Sequence, residues 1–258
     1  MAGNGSVSEP GRGHHPPPAG PAGAGGTGGA GGAGSPGGAD AALRRRRAAI
    51  TELGDALREL VGQATATEVG EDELRRVAAQ VRDAAALLGR RTRTRGELPG
   101  ADNLLGGFRM YNPAAGRGSA LVPPLHIKAD GNQVVGTCSL SLAYEGPPTF
   151  AHGGVSAMLL DQMLGHATGM AGRPGMTVKL EMRYRAPVPL QTPLRLTAAV
   201  AEVNGRRVTA RGTIATAGEP DAVLVEATGL FIGLRAEQAA RLFGGVHPDA
   251  TNPLIAHD

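Results

Sequence analysis

A single cysteine, Cys138, leaves no partner for an intrachain disulfide and cannot build a thiolate metal site alone. Tryptophan is absent, and only three Tyr and four Phe are present, which weakens any case for a base-stacking surface. Ala, Gly, Val and Leu must therefore fill the core. Neither sign of charge dominates: 26 Lys+Arg stand against 23 Asp+Glu, a formal charge of +3. So even a balance argues against nucleic acid as a partner. No run approaches the ~18 consecutive apolar residues of a membrane span, and the start of the chain lacks the basic, apolar, small-residue order of a secretion signal. A cytoplasmic protein is expected.

Residues 1–39 are almost entirely Gly, Ala, Pro and Ser, a composition that cannot offset its conformational entropy by burial. A disordered tail is expected there, with His14 and His15 as part of it. Asp40 can cap a helix running to about Val61, with Ile50, Leu53, Leu57 and Leu60 in one apolar stripe and Gly62 as its stop. A second helix begins at Glu71-Asp72-Glu73, acids that suit a helix start, and ends at Gly89. Leu74, Val77, Val81 and Leu88 mark its apolar side. The two helices are expected to form a packed hairpin within a 40–95 extension. Arg44 to Arg47 fan around more than a helical turn and read as a solvated surface. Arg90, Arg91, Arg93 and Arg95 follow the second helix and could attract an anionic ligand.

From about residue 121 the period changes to two. Asp130-Gly131-Asn132 reads as a hairpin turn between Leu125-Ile127 and a strand from Val134 to Leu142. Residues 152–171 then form a long apolar helix. Met176, Val178, Leu180, Met182 and Tyr184 alternate with Thr177, Lys179, Glu181, Arg183 and Arg185, a strand with one apolar face. Leu194 to Val200 repeats the pattern, Asn204-Gly205 signals a second hairpin, and 222–232 supplies the last strand. A short helix near 235–243 closes the pattern, ahead of a 235–258 tail. One apolar helix among antiparallel strands has an economical home on the concave face of a curved sheet, an α+β layout.

The chemistry-bearing run is His152-Gly153-Gly154, followed by Val155 to Gly165 with Asp161 in its middle. Glycines let a helix start approach a ligand, and the first helical N–H groups can stabilise a carbonyl oxygen that becomes negative. Asp161 sits among Met158, Leu159, Leu160, Met163 and Leu164, where a carboxylate is costly without partners or a task. This run, taken with Tyr184-Arg185-Ala186-Pro187-Val188-Pro189-Leu190, resembles the hotdog-fold acyl-CoA thioesterases, in particular their phenylacetic-acid-pathway and thioesterase-superfamily-member branch. The likeness covers roughly 120–234.

The resemblance implies a hotdog domain over 100–234, acyl-CoA as substrate, fatty-acid metabolism as the setting, and no metal or cofactor. It implies Asp161 as the catalytic carboxylate, Gly153 or Gly154 as the carbonyl-polarising amide with Gly153 preferred, and His152 as a helper. It also implies Thr177 as a hydroxyl that positions water or the carboxylate, although plain alternation turns Thr177 away from the apolar face. Gly153 and Asp161 are separated by ~12 Å of helix axis, too far to share one thioester carbonyl. The expected assembly is thus a homodimer with two composite sites, or a dimer of such dimers.

Arg183, Arg185, Lys179, Arg206 and Arg207 are candidates for the CoA phosphates. Two other readings compete. Asp161 and His166 have a hydratase-like spacing, but five helical residues leave them ~140° apart, so His166 reads as structural. A non-catalytic acyl-CoA sensor or scaffold is the alternative in a different class, argued against by the retained Asp161.

Overall fold

The period-two segments form six strands: β1 His126–Asp130, β2 Gln133–Ser139, β3 Met176–Tyr184, β4 Pro193–Asn204, β5 Arg207–Thr216 and β6 Val225–Ile232. The helices are α1 Pro36–Ala66, α2 Glu71–Leu88, α3 Gly153–Met170 and α4 Ala236–Phe243. The computed structural model describes residues 36–102, 109–121, 123 and 125–243. His14, His15 and Gly244-Gly245 lie outside the described residues. All strands join one antiparallel sheet in the order β1-β2-β4-β5-β6-β3. The expected α+β hotdog architecture is what the chain adopts: a curved sheet around α3, with a helical region before it.

Glycines on the sheet let α3 come close. A Cβ at Gly136 would stand 2.7 Å from Met163 Sδ, and one at Gly212 would stand 3.3 Å from Leu160. At Gly229 it would stand 3.0 Å from Leu164. Three strands thus leave room for three successive apolar side chains of one helix. Leu159, Leu160, Met163 and Leu164 are fully buried there, against Leu194, Leu196, Ile214, Val225 and Phe231.

Both tight hairpins use a glycine in the left-handed region. Asp130 pairs with Gln133 around Gly131 (φ 62°), and Asn204 pairs with Arg207 around Gly205 (φ 56°). Asn204 is therefore the last paired residue rather than part of the loop, which is Gly205-Arg206. The second strand ends at Ser139, three residues short of expectation, and Leu142–Tyr144 forms a 3-10 turn instead.

Three expectations for the N-terminal helices are corrected. The first helix starts at Pro36, ahead of Asp40, because proline's fixed φ suits a first helical turn. It runs through Gly62 to Ala66, since one glycine costs a helix only about 1 kcal/mol. The packed hairpin does not form, for α2 has no buried residue. Only α1 is anchored: Ile50 packs with Ala101 and Met110, and Arg58 donates to the carbonyls of Arg117 and Ser119. Gly54 permits this closeness, because a Cβ there would meet Arg117 O at 2.2 Å.

Among the described residues no helix is long and apolar enough to cross a membrane.

Candidate active site

The two sequence motifs meet in space through backbone pairing. Ala151 N donates to Val188 O at 2.9 Å and Leu190 N to Thr149 O at 3.1 Å, so the approach to α3 lies along the 188–190 segment. Thr149 adopts φ 72°, a conformation costly for a β-branched residue, held by its amide on Glu145 Oε1 at 2.7 Å. The chain is thereby aimed so that His152 becomes the N-cap of α3.

His152 Nδ1 accepts the Gly154 N–H at 3.0 Å. A ring nitrogen that accepts carries no proton, which fixes the tautomer with hydrogen on Nε2. The cap also decides between the two glycines. Gly154 has its amide committed to His152, whereas the Gly153 amide has no hydrogen-bond partner among the described residues. Tyr184 closes this end of the helix, its hydroxyl donating to Gly153 O at 2.9 Å. A Cβ on Gly153 would press on that ring at 3.3 Å. Tyr184 was legible only as an apolar strand position; its place at the end of an inward-facing row is the signal that it reaches α3.

Two turns further along α3, Asp161 is partly buried beside the fully buried Leu160. Thr177 Oγ1 donates to Asp161 Oδ1 at 2.9 Å. Plain alternation had turned Thr177 the other way, and a bulge explains the difference. Thr177 pairs with Phe231 and Lys179 with Leu230, leaving Val178 unpaired. Opposed residues of an antiparallel pair share a face, so Thr177 shares the α3-facing side of Phe231, as Leu180 shares that of Gly229. One extra residue thus carries the hydroxyl to the carboxylate.

On the other flank, Asn112 Nδ2 donates to Gln162 Oε1 at 2.8 Å, and Gln162 Nε2 lies 2.8 Å from His166 Nδ1. With its oxygen already engaged by Asn112, Gln162 is the donor to His166. His166 is part of this tether and is not paired with Asp161. Asn112 and Gln162 escaped the sequence reading, because nothing in their spacing links positions fifty residues apart.

Of the arginines and lysine proposed for phosphates, Lys179 pairs with Glu181 at 2.8 Å and Arg185 with Glu226 at 2.9 Å. Arg206 donates to Gly233 O at 2.8 Å. Arg183 and Arg207 are exposed, with no hydrogen bond or ion pair among the described residues. The structure does not gather these five into one cluster.

The arrangement offers two chemical groups on one helix: an open amide at its start and an oriented carboxylate in its middle. A thioesterase superfamily model matches residues 149–223, the stretch that carries both. Bovine (Bos taurus) acyl-coenzyme A thioesterase THEM4 is 32% identical over 96 residues, 37% of this chain and 39% of the relative. The Xenopus laevis protein of the same name is 35% identical over 91 residues, 35% of this chain and 40% of the relative. The chain thus spans about two fifths of the length of these curated relatives. A crystal structure of a thioesterase superfamily protein is 36% identical, covers 71% of this chain and 94% of its own, and superposes with a TM-score of 0.63. With that extent of likeness, and with the helix start and carboxylate placed as described, the chain belongs to the thioesterase superfamily.

Proposed function

We propose that this chain hydrolyses acyl-CoA to the free acid and CoA, using Asp161 and the amide of Gly153. The observation that carries this reading is the Thr177–Asp161 hydrogen bond at 2.9 Å on the same helix whose first amide is open. The curated relatives' description as acyl-coenzyme A thioesterases supports the substrate class.

Thr177 holds one carboxylate oxygen of Asp161 and leaves the other to act. In the general-base route Asp161 takes a proton from water as the water oxygen bonds to the thioester carbon. The carbonyl oxygen becomes negative against the Gly153 amide, the C–S bond breaks, and CoA leaves as thiolate. In the nucleophilic route the carboxylate itself forms an anhydride, which water then opens. His152 keeps the helix start in register by engaging Gly154, and the oxyanion donor falls to Gly153.

Because ~12 Å of helix separates Gly153 from Asp161, the glycine of one copy serves the aspartate of another in a homodimer. Met176 and Val178, 41% and 54% exposed on the edge strand β3, support such a contact. An active monomer in sedimentation would sink the composite site.

The test is thiol release from short, medium, long and aromatic acyl-CoAs by wild type and Asp161→Ala. Hydrolysis of one or more members, reduced about 10²–10⁴-fold in the variant, is the expected result. A wild type that binds every acyl-CoA and turns over none would replace the hydrolase with the sensor.

A further inference from the structure

A groove of about 970 Å³ lies between α1, the end of α2, the 90–101 segment and Tyr111. It belongs neither to the Asp161 site nor to the strand arginines considered for phosphates. We infer that this groove binds the 3′-phosphorylated ADP end of coenzyme A, an inference that rests on the acyl-CoA reading above.

Charge is the first argument. Arg46, Arg90, Arg91 and Arg93 line the groove, with Glu97 as its single acid. Glu97 is turned inward on its own loop, its carboxylate accepting the Thr94 N–H at 2.8 Å. Arg93 spends one N–H on Glu97 O at 3.1 Å. Arg46, Arg90 and Arg91 make no hydrogen bond or ion pair among the described residues. Four guanidinium groups around one depression repel one another unless an anion enters, and a fork of planar donors suits phosphate oxygens. Of the Arg44–Arg47 run, Arg46 faces the groove while Arg47 is turned onto Ala101 O at 2.8 Å.

The lining supplies the second argument. Leu87 and Leu88 are 58% and 52% exposed, and the Tyr111 ring is 43% exposed. An apolar wall with one open aromatic face fits a flat base bearing several phosphates. A fatty carboxylate would fill the apolar part yet leave most of the positive charge unopposed. Connectivity is the third argument. Tyr111 is followed by Asn112, whose amide holds Gln162, the neighbour of Asp161. The groove wall is thus one residue from a direct tether to the helix that carries the carboxylate.

Calorimetric titration of the full chain with adenosine 3′,5′-bisphosphate, CoA and palmitate tests this, in wild type and in R90A/R91A/R93A. Wild type should bind the bisphosphate and CoA with affinity that falls as salt rises. The triple variant should lose at least about tenfold for both, the discrimination that charge-assisted contacts supply. Acyl-CoA turnover should show a raised KM with kcat retained. The charge reversal R90E/R91E repeats the test should circular dichroism show the triple variant misfolded. Unchanged bisphosphate binding in folded variants, absence of CoA binding in wild type, or a loss confined to palmitate would overturn the groove. Groove-dependent CoA binding without turnover in wild type would reject the hydrolase reading alone, whereas turnover with an unmoved KM would reject the groove alone.

Discussion

Helices α2 and α3 are both 18 residues long, and they meet opposite fates. Seven residues of α3 are buried, and the sheet wraps it from β2 round to β3. None of α2 is buried, although Leu74, Val77, Val81 and Leu88 repeat at helical spacing along one side. The contrast teaches that the shape of an apolar pattern, rather than its presence, tells where a helix goes. A helix apolar on most sides must be enclosed, whereas a single stripe asks only for one surface. On α2 that stripe meets nothing within the chain. Its exposed pairs of Arg75 with Glu71 and Asp72 add a few tenths of a kcal/mol each at most.

The widest separation expected between the two regions is in thiol chemistry. Cys138 packs against the α3 core, and burial pushes its thiol up to about 12. A cysteine placed on α2 by Val81→Cys should titrate near the ordinary value of about 8.5. At pH 8 iodoacetamide should modify the α2 thiol roughly 10³-fold faster, each pKa step being about tenfold in thiolate. Mass spectrometry after timed alkylation reads the difference, and equal rates would dissolve the contrast. The same burial has a stability consequence. The folded thiol holds its proton more tightly than the unfolded one, so its contribution is complete below about pH 8.5. It is lost as pH rises through about 12.

Packing should separate the helices next. Leu160→Ala on α3 opens a cavity against Gly212 and β5, and should cost about 2–5 kcal/mol in urea unfolding. A smaller effect is expected where α3 meets β3: Thr177→Ala removes the hydroxyl from Asp161 and should lower kcat roughly tenfold, with Thr177→Ser restoring it. Rescue by serine ties the loss to the hydroxyl rather than to packing. Smallest of all, Val77→Ser on α2 should shift stability by less than about 0.5 kcal/mol. A cost of several kcal/mol there would show that α2 is covered in solution.

Much of this was legible in the residues, for reasons that also explain the rest. The long apolar run 153–170, the alternation of β4 to β6 and the glycine turns are local signals, and each stands where its own chemistry puts it. The packed hairpin of α1 and α2 was not, because a stripe states that a surface is needed without naming it. Asp161 and the glycine pair were found as a motif, yet the choice of Gly153 over Gly154 needed the His152 ring in three dimensions. Lys179, Arg185 and Arg206 looked free in sequence, where the carboxylates and carbonyl that engage them cannot be seen.

Thr177 was the hardest to place, and its case reduces to parity. A strand offers only two faces, and they are assigned by odd and even count of paired positions. Between Leu180 and Thr177 the chain holds two residues while the ladder registers one, Lys179. The hydroxyl faces Asp161 because Val178 is skipped in that count. Shortening this stretch by one residue leaves the count, and so the face, unchanged; shortening it by two reverses it. What the family motif must preserve here is an arithmetic relation between two strands as much as the identity of a side chain.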